Sequence, residues 1–421
     1  MARFGILKSL VTLLAAAVAV VPVAFAVPLD ERAENLSPIA REILLGATAK
    51  RSVPAAPNFV TYSDRFYSET SLPPVSDVEG FTVYALAFIF PSSVQDNAAV
   101  WQGLSSATRA STLAEYSAAG ISIVVSAFGS TSLPTSGGVD PTAAAQYIAN
   151  FVIDYDLAGV DVDYEDFGAV ETAGTAVAWL TTFTKALRAQ LPVGQYILTH
   201  APVAPWFSPN LWPDNGYLGV HAAVGSLIDW YNVQFYNQGT SEYTTCAGLL
   251  DTSSSAWPES ALFQIAANGV ELSKLVIGKP AQAGDASNGY MDPGTLAGCL
   301  ETAKGQGWDG GVMTWQYPDG DSAWIEEVRA DSWPVGSSTG GGGGTSTTTT
   351  TTHSTTSTTT TTTSSTSTST SCAGVSAWVA SAAYTSGSVV TYNGDLWKAN
   401  QWNEDEVPGG SSGAWNESGV C

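Results

Sequence analysis

Residues 157–165 read Leu-Ala-Gly-Val-Asp-Val-Asp-Tyr-Glu, and the rest of the chain is organised around this stretch. In a β-strand, Asp161, Asp163 and Glu165 would share one face, because successive side chains alternate. Three like charges in one row do not stabilise a strand. A solvated edge strand is one explanation, but the apolar residues that lead in are typical of a buried parallel strand. We therefore predict an active site that needs carboxylates with separated pKa values.

Composition and charge narrow the class of protein. The chain has 421 residues, with 15 Lys and Arg against 38 Asp and Glu, and a formal net charge of -23. Such an acidic chain repels phosphate backbones, so we expect no nucleic-acid partner. Charged residues make up only 13% of the chain, and Gly, Ser, Thr and aromatic residues are plentiful. This composition suits a secreted glycoprotein.

The N-terminal segment supports secretion. Residues 1–26 have a basic start, an apolar run and a small-x-small cleavage site that ends at Ala26. These are the parts of a signal peptide, and the apolar run lacks the stop-transfer flank of a membrane anchor. We therefore expect a secreted, extracellular protein with no membrane partner. Residues 27–56 are either a pro-segment cut after the dibasic pair that ends at Arg51 or an ordinary linker.

Residues 57–335 alternate strand-like and helix-like segments. Eight strands with crossover helices in about 280 residues predict an α/β fold, the (β/α)8 TIM barrel. A doubly wound open sheet is the alternative, but no Gly-rich phosphate loop follows the first strand. Catalytic residues of a barrel sit at the C-terminal ends of its strands, and Glu165 ends the fourth predicted strand. The predicted strands cover residues 59–62, 81–90, 121–128, 157–165, 196–203, 230–236, 274–279 and 310–315, and helices are predicted at 107–118, 142–155, 176–190 and 293–305.

The composition changes twice beyond the barrel. Residues 336–371 are Gly followed by almost pure Thr and Ser, which predicts a disordered, O-glycosylated linker. Residues 372–421 are rich in Trp and Tyr and form a separate small unit, predicted to be β-rich. Asn416 begins an N-glycosylation sequon.

The chain has four cysteines. Cys372 and Cys421 bracket the small unit, which is too short for a large core and gains from a covalent link. We expect a disulfide between them in a secreted protein. Cys246 and Cys299 then remain inside the barrel, but four cysteines allow three connectivities and the spacing does not choose among them.

Paired carboxylates are typical of glycosidic bond cleavage. Glu165 lies nearest the loops and is the predicted general acid, with its pKa raised by burial and by a neighbouring carboxylate. Asp163 lies about 6–7 Å behind it, and Asp161 lies deeper and can share a proton with Asp163. A carboxylate metal site is the competing interpretation. Because the acids are spread along a strand with no His nearby, we expect no metal and no cofactor.

Here the chain resembles a known family. The stretch from Gly159 to Glu165 resembles the DGxDxDxE signature of the chitinases of glycoside hydrolase family 18, and further pieces of that family follow in the same order. One residue departs from the pattern, because Ala158 stands where the signature has its first Asp, which is part of an acid relay in the family. The further pieces are Ser126-Ala127-Phe128-Gly129, Ala201-Pro202, Gln234-Phe235-Tyr236-Asn237 and Trp315.

The resemblance implies a retaining mechanism in which the 2-acetamido group of the substrate replaces an enzyme nucleophile. Glu165 would protonate the leaving oxygen, Asp163 would stabilise the acetamido N–H, and Tyr236 would bind the acetamido oxygen. The implied partner is chitin or chitooligosaccharides, bound by a monomer. The resemblance places Gln234, Asn237 and Trp315 against the substrate. Three further aromatic residues, Tyr62, Phe88 and Trp206, lie at the ends of other predicted strands. They either line the same cleft or pack in the core or rim.

The C-terminal unit resembles chitin-binding modules of carbohydrate-binding families 5 and 12. The resemblance rests on the Y-x2-G-x4-Y-x-G spacing of residues 384–394 and on a closing Trp. Some of the aromatic side chains must form the small core. We expect Trp402 and Trp415 to form an exposed chitin-binding platform, and Trp378, Tyr384 and Tyr392 to form the core.

Two other functions compete with a secreted endo-acting chitinase. An endo-β-N-acetylglucosaminidase that cuts N-glycans would share the fold and the acids, although the chitin-binding tail favours chitin. A non-catalytic chitin-binding lectin belongs to another class. Lectin relatives usually lose the acid at the position of Glu165, which this chain retains.

Overall fold

The computed structural model describes residues 53–336, 375–379, 389–399, 407–410 and 415–420. The chain divides into two compact units between Gly340 and Gly341. Several sequence predictions lie outside the described residues: the signal peptide, nearly all of the segment that precedes the barrel, the Ser/Thr-rich linker, the Cys372–Cys421 disulfide, Tyr384 and Trp402.

The first unit is a closed barrel of eight parallel strands, as predicted. Each strand pairs with the next, and β8 returns to pair with β1, where Phe59 lies opposite Val312. The strands are β1 (Asn58–Ser63), β2 (Val83–Ile89), β3 (Ser122–Phe128), β4 (Gly159–Asp163), β5 (Ile197–His200), β6 (Trp230–Gln234), β7 (Leu275–Pro280) and β8 (Gly311–Trp315).

Helices surround the barrel, and all four predicted helices are present within one residue of their expected bounds. Side-chain caps begin several of them, such as Asp140, which accepts a hydrogen bond from the Ala143 amide just before a proline. No helix in the described part of the chain is long and apolar enough to cross a membrane. The α-helices are α1 (Asp96–Gly103), α2 (Ser106–Ala118), α3 (Pro141–Asp154), α4 (Ala176–Gln190), α5 (Gly216–Val224), α6 (Cys246–Leu250), α7 (Leu262–Ala267), α8 (Pro293–Gly305) and α9 (Ser322–Arg329).

The strands are buried on both faces, which explains their nearly continuous apolar sequences. Their outer faces pack with the helices in one large core cluster. A smaller cluster fills the barrel interior and includes Val60, Trp230 and Met313. Apolar side chains therefore close the lower part of the barrel, and polar side chains gather towards its C-terminal mouth.

A disulfide joins Cys246 to Cys299, with 5.1 Å between their Cα atoms. It links the start of α6 to the middle of α8, 53 residues apart in sequence. The structure thus decides one of the pairings that the spacing of the cysteines left open.

The second unit contains a three-stranded antiparallel sheet, in agreement with the predicted β-rich module. Its core holds Val390, Ala399 and Trp415, with Trp378 packed against them. Trp415 is only 6% exposed, so its predicted place on an exposed platform is wrong. Such a small unit has few other large apolar side chains with which to fill its core. The ring of Trp378 also packs edge-on against Tyr392, in the way expected of core residues. The strands are β9 (Val389–Tyr392), β10 (Asp395–Ala399) and β11 (Trp415–Val420).

Candidate active site

The three acids lie towards the C-terminal mouth of the barrel, two on the inner face of β4 and Glu165 in the loop that follows it. The apolar residues between them, Val162 and Tyr164, pack outward in the large core cluster, which confirms the predicted alternation. The strand ends earlier than we predicted. The Asp163 carbonyl accepts the last interstrand hydrogen bond, from the Gly129 amide at 2.9 Å, and Glu165 then lies in the loop. Because Glu165 lies beyond the end of the strand, it is partly exposed at the mouth, whereas Asp163 is buried.

Asp161 is surrounded by hydrogen-bond donors. One carboxylate oxygen accepts from the Tyr62 hydroxyl at 2.7 Å and the Ser126 hydroxyl at 2.9 Å. The other accepts from the Thr199 hydroxyl at 2.6 Å and the Asn232 amide at 3.0 Å. Burial raises the pKa of Asp161, and these hydrogen bonds oppose the rise. The four donors favour the ionised form of Asp161 and offset part of the cost of its burial.

This arrangement changes the role that we predicted for Asp161. Both of its oxygens already accept two hydrogen bonds, so sharing a proton with Asp163 would displace one of the four donors. The position of the missing signature carboxylate, Ala158, packs against the apolar cluster of the barrel interior. Neutral donors, rather than a row of acids, therefore surround the lower carboxylate.

Asp163 and Glu165 face each other and form the proton-sharing pair. Burial and then the Glu165 carboxylate raise the pKa of Asp163 well above its usual range. Burial also raises the pKa of Glu165, against hydrogen bonds from Gln234 and Asp163. Two adjacent carboxylates cannot both ionise readily, so the pair holds one proton between them.

Gln234 and Tyr236 complete the polar wall of the site. The Gln234 amide donates to Asp163 at 2.9 Å, to Glu165 at 3.3 Å and to the Ala201 carbonyl at 2.9 Å. Burial and the charges of Asp163 and Glu165 raise the pKa of Tyr236 well above its usual range, so its phenol stays protonated and able to donate. The structure therefore brings these two predicted residues together with the acids.

An aromatic floor lies beside the acids. Trp315 ends β8 and is partly exposed, and its ring stacks on Phe88 with centroids 6.0 Å apart and packs against Tyr62 at 5.9 Å. Tyr62 in turn donates to Asp161, so the floor and the fixed charge are joined. Three of the predicted cleft residues thus meet at one place, with Trp315 the most accessible.

Trp206 lies elsewhere. It is 0% exposed and packs in the outer core against Tyr217 and Phe167, and its indole N–H donates to Glu171. A large apolar ring just after β5 gains more from the layer outside the barrel than from an open cleft. Its predicted place against the substrate is therefore wrong, and core packing, the alternative, is observed.

Asn237 lies at the rim with an exposed side chain. Its side-chain oxygen accepts from the Ser287 amide at 2.8 Å, and its own backbone amide donates to the Asn288 carbonyl at 3.1 Å. The residue has a positive φ of 66°, a conformation that Asn tolerates better than most residues. It therefore fastens the β6 and β7 loops together next to Tyr236.

The donors to Asp161 were only partly visible in the sequence. Ser126 and Thr199 lie directly beside Asp161 in the registers of β3 and β5. Both are polar residues within otherwise apolar strands. A search for buried polar residues in such strands would have selected Thr199 and Asn232 as well as Ser126. The barrel registers were needed to show that their hydroxyl and amide groups meet at one carboxylate.

Two residues that flank Glu165 fasten its loop. The Tyr164 hydroxyl donates to Thr135 at 2.7 Å, and Asp166 accepts from the Ser136 amide at 2.7 Å and from the Ser136 hydroxyl at 2.5 Å. Sequence reasoning did not select Asp166, because a fourth acid in an acidic stretch carries no distinct signal. Within the described residues, no group of three or more His, Cys, Asp or Glu side chains is arranged to hold a metal ion.

Comparisons with known proteins find similarity in both parts of the chain. Residues 377–416 match carbohydrate-binding module family 5/12. An acidic endochitinase of Nicotiana tabacum is 30% identical over 173 residues, 40% of this chain and 51% of that protein. The endoglucanase MaCel5A of Microbulbifer sp. (strain ALW1) is 44% identical over 55 residues, 12% of this chain and 11% of that enzyme. The chain thus spans about half the length of the tobacco protein and about a tenth of the endoglucanase.

A solved structure is similar over about two thirds of the chain. A GH18 chitinase from Pseudoalteromonas aurantia superposes with a TM-score of 0.53 and 27% identity, over 65% of this chain and 99% of that chain. The barrel is therefore similar to that of a glycoside hydrolase, the class that the carboxylates predicted. More particularly, the chain joins a barrel similar to the chitinases of glycoside hydrolase family 18 to a module of carbohydrate-binding family 5/12, and both predicted resemblances are confirmed.

Proposed function

We propose that this protein is a secreted chitinase that hydrolyses β-1,4 linkages between N-acetylglucosamine units, with retention of configuration and with assistance from the substrate. The pair of Asp163 and Glu165 carries the proposal, because both carboxyl groups accept a hydrogen bond from the one Gln234 amide nitrogen, at 2.9 and 3.3 Å. A conventional retaining glycosidase places its two carboxyl groups about 5–5.5 Å apart on either side of the sugar. Two carboxyl groups that meet at one amide nitrogen leave no room for a sugar between them.

No other carboxylate in the acid row offers a nucleophile. Asp161 is 1% exposed, and four donors occupy its oxygens. The attacking atom then comes from the substrate, and the 2-acetamido carbonyl oxygen is the group that an N-acetylglucosamine ring supplies. This chemistry requires an N-acetylated sugar in the reactive position, which favours chitin over cellulose.

The reaction follows from the positions of the groups. Glu165 donates its proton to the glycosidic oxygen as the C–O bond breaks, and the acetamido oxygen bonds to the anomeric carbon to give an oxazolinium ion. Asp163 turns from Glu165 to the acetamido N–H and balances the positive charge. Glu165, now ionised, removes a proton from water, which attacks the anomeric carbon and opens the ring. The anomeric carbon is attacked twice, and each attack inverts its configuration, so the product retains the original configuration.

Tyr236 and Trp315 prepare the substrate for this step. The protonated Tyr236 phenol can donate to the acetamido oxygen and hold it under the anomeric carbon. The Trp315 ring supplies an apolar surface for the C–H face of the sugar. Tyr236 lies near the proton-sharing pair, and Trp315 packs against Tyr62, which donates to Asp161. These positions favour one reactive subsite at the barrel mouth.

Replacement of Glu165 by Gln tests the proposal most directly. Glu165→Gln should lower kcat on chitooligosaccharides by about 10³-fold and leave binding intact, since Gln keeps the shape of the side chain but supplies no acidic proton. The wild type should release the β-anomer first in a product time course followed by NMR. Near-normal turnover by the variant, an α-anomer as first product, or turnover of a high-mannose glycoprotein but not of chitin would each reject the proposal.

The C-terminal module supports a polymeric substrate, and its deletion tests that part. A module on a long linker raises the effective concentration of the barrel at an insoluble surface. Removal of residues 336–421 should lower the rate on solid chitin severalfold and leave the rate on soluble chitooligosaccharides unchanged. Equal losses on both substrates would argue against a targeting role. The full-length chain with the Glu165→Gln substitution is the control for rates that do not arise at the site.

A further inference from the structure

Lys279 is a fully buried lysine at the end of β7. Its ammonium group donates to three backbone carbonyls, those of Phe235 at 2.8 Å, Tyr243 at 2.6 Å and Gly289 at 3.0 Å. The first ends the β6 segment, the second lies in the loop after β6, and the third lies in the loop after β7. One side chain thus joins three segments at the mouth of the barrel.

Two of these carbonyls lie next to Tyr236. Phe235 precedes Tyr236 in the chain. Gly289 packs directly against the Tyr236 backbone, since a Cβ atom at position 289 would lie 2.6 Å from the Tyr236 Cα atom. The ammonium group therefore holds Tyr236 from the preceding residue and from the opposing loop.

The Tyr236 hydroxyl depends on this backbone support. In the described part of the chain, no hydrogen bond to another side chain fixes that hydroxyl, whereas the Asp161, Asp163 and Glu165 carboxyl groups all have such partners. The position of the Tyr236 backbone therefore determines where the hydroxyl lies relative to the acids. The Asn237 contacts with Ser287 and Asn288 secure only the outer side of the same loop pair.

A lysine in this place is costly to the fold. Burial lowers its pKa to about 7, and among residues 53–336 no carboxylate pairs with it. Desolvation of an unpaired ammonium is unfavourable, but an apolar residue would leave three buried carbonyls without donors. The three carbonyl oxygens point to one position, and a single backbone N–H there could not donate to all of them.

We propose that Lys279 is a positioning residue for Tyr236, which sets where the phenol meets the acetamido group of the substrate. The expected loss of activity rests on the proposed function. The position of Tyr236 relative to Lys279 rests on geometry alone. Lys279 touches no reacting atom and acts only through the β6 and β7 loops.

A double-mutant cycle in the full chain tests the proposal. Tyr236→Phe should lower kcat/KM on chitooligosaccharides by about a hundredfold. Lys279→Met should lower kcat by about tenfold in the wild-type background, because a shift of about 1 Å in a positioning group is enough for such a loss. In the Tyr236→Phe background, the same substitution should cost less than about twofold, since the group that it positions is already gone.

Lys274 offers a matched control next to the other end of the same strand. It stands just before β7, at the opposite end of the barrel, and also donates to two backbone carbonyls, those of Gly225 at 2.6 Å and Ile228 at 2.8 Å. Lys274→Met should lower Tm without changing kcat or KM. Equal kinetic losses from the two lysine variants, or equal losses from Lys279→Met in both Tyr236 backgrounds, would overturn the proposal.

A structural measurement separates this inference from the proposed function. Crystal structures of the Lys279→Met and Lys274→Met proteins should show the Tyr236 ring displaced in the first and unmoved in the second. An unmoved ring in the first would overturn the positioning role even if the wild type hydrolyses chitooligosaccharides. If the wild type hydrolyses none, the proposed function fails, but a displaced ring still supports the positioning role. If Lys279→Met does not fold, Lys279→Gln retains two donors and takes its place in both experiments.

Discussion

Asp161 and Asp163 lie two residues apart on the same face of the same strand, but their surroundings differ. The lower carboxylate, Asp161, accepts four hydrogen bonds from neutral donors. The upper pair, Asp163 and Glu165, shares one donor, the Gln234 amide, and otherwise faces its own partner. The number of donors thus decides whether a buried carboxylate keeps its charge or shares a proton. We therefore expect the upper pair, and not Asp161, to transfer the proton in the proposed reaction.

The largest expected effect is the loss of activity on removal of the upper charge. Asp163→Asn should lower kcat on chitooligosaccharides by roughly 10²–10³-fold, because an amide cannot balance the positive charge of the oxazolinium ion. Steady-state kinetics with a defined oligosaccharide measures the loss. A variant with kcat within about twofold of the wild type would show that the upper pair does not work as a pair.

The same substitution at the two positions should change stability in opposite directions. Asp163→Asn relieves the repulsion between two adjacent buried carboxyl groups and should raise the free energy of unfolding by about 1 kcal/mol. Asp161→Asn turns an accepting oxygen into a donor beside groups that already donate, and should lower it by about 2 kcal/mol. Chemical denaturation of both variants beside the wild type measures the two values. Changes of the same sign would remove the distinction between the lower carboxylate and the upper pair.

The smallest expected effect is a pH dependence of that stability difference. The pKa of Asp163 is raised in the folded protein, so its contribution to stability is fully present below the unfolded pKa of about 4 and is lost as the pH rises through the folded value. The advantage of Asp163→Asn over the wild type should therefore be absent near pH 4 and grow towards neutral pH. Denaturation at several pH values would show this trend, and an advantage independent of pH would contradict it.

The sequence was most informative where the signal was local. Alternation around Asp161 and Asp163 predicted which side chains face inward, and the apolar lead-in predicted a buried strand. The eight strands and the four helices followed from the same periodicities, and the barrel then placed Glu165 at the mouth. The residues of the upper pair needed no tertiary information beyond this.

Sequence reasoning failed where burial depends on the partner of a side chain. Trp206 follows a barrel strand, as a cleft residue would, but Tyr217 and Phe167 of the outer layer enclose it. Trp415 closes the module sequence as a platform residue would, but the small sheet requires it as core. An aromatic residue next to a strand end fits either environment, and composition does not distinguish them.

The amino-acid sequence by itself determined the barrel, the row of acids on β4 and the resemblance to family 18, since each depends on periodicity or on short motifs along the chain. The tertiary structure alone decided that Asp161 is held by donors from β1, β3, β5 and β6, and that Lys279 gathers three carbonyls behind Tyr236. Those contacts join residues far apart in sequence. Only the closure of the barrel and the registers of its strands bring them within hydrogen-bond distance.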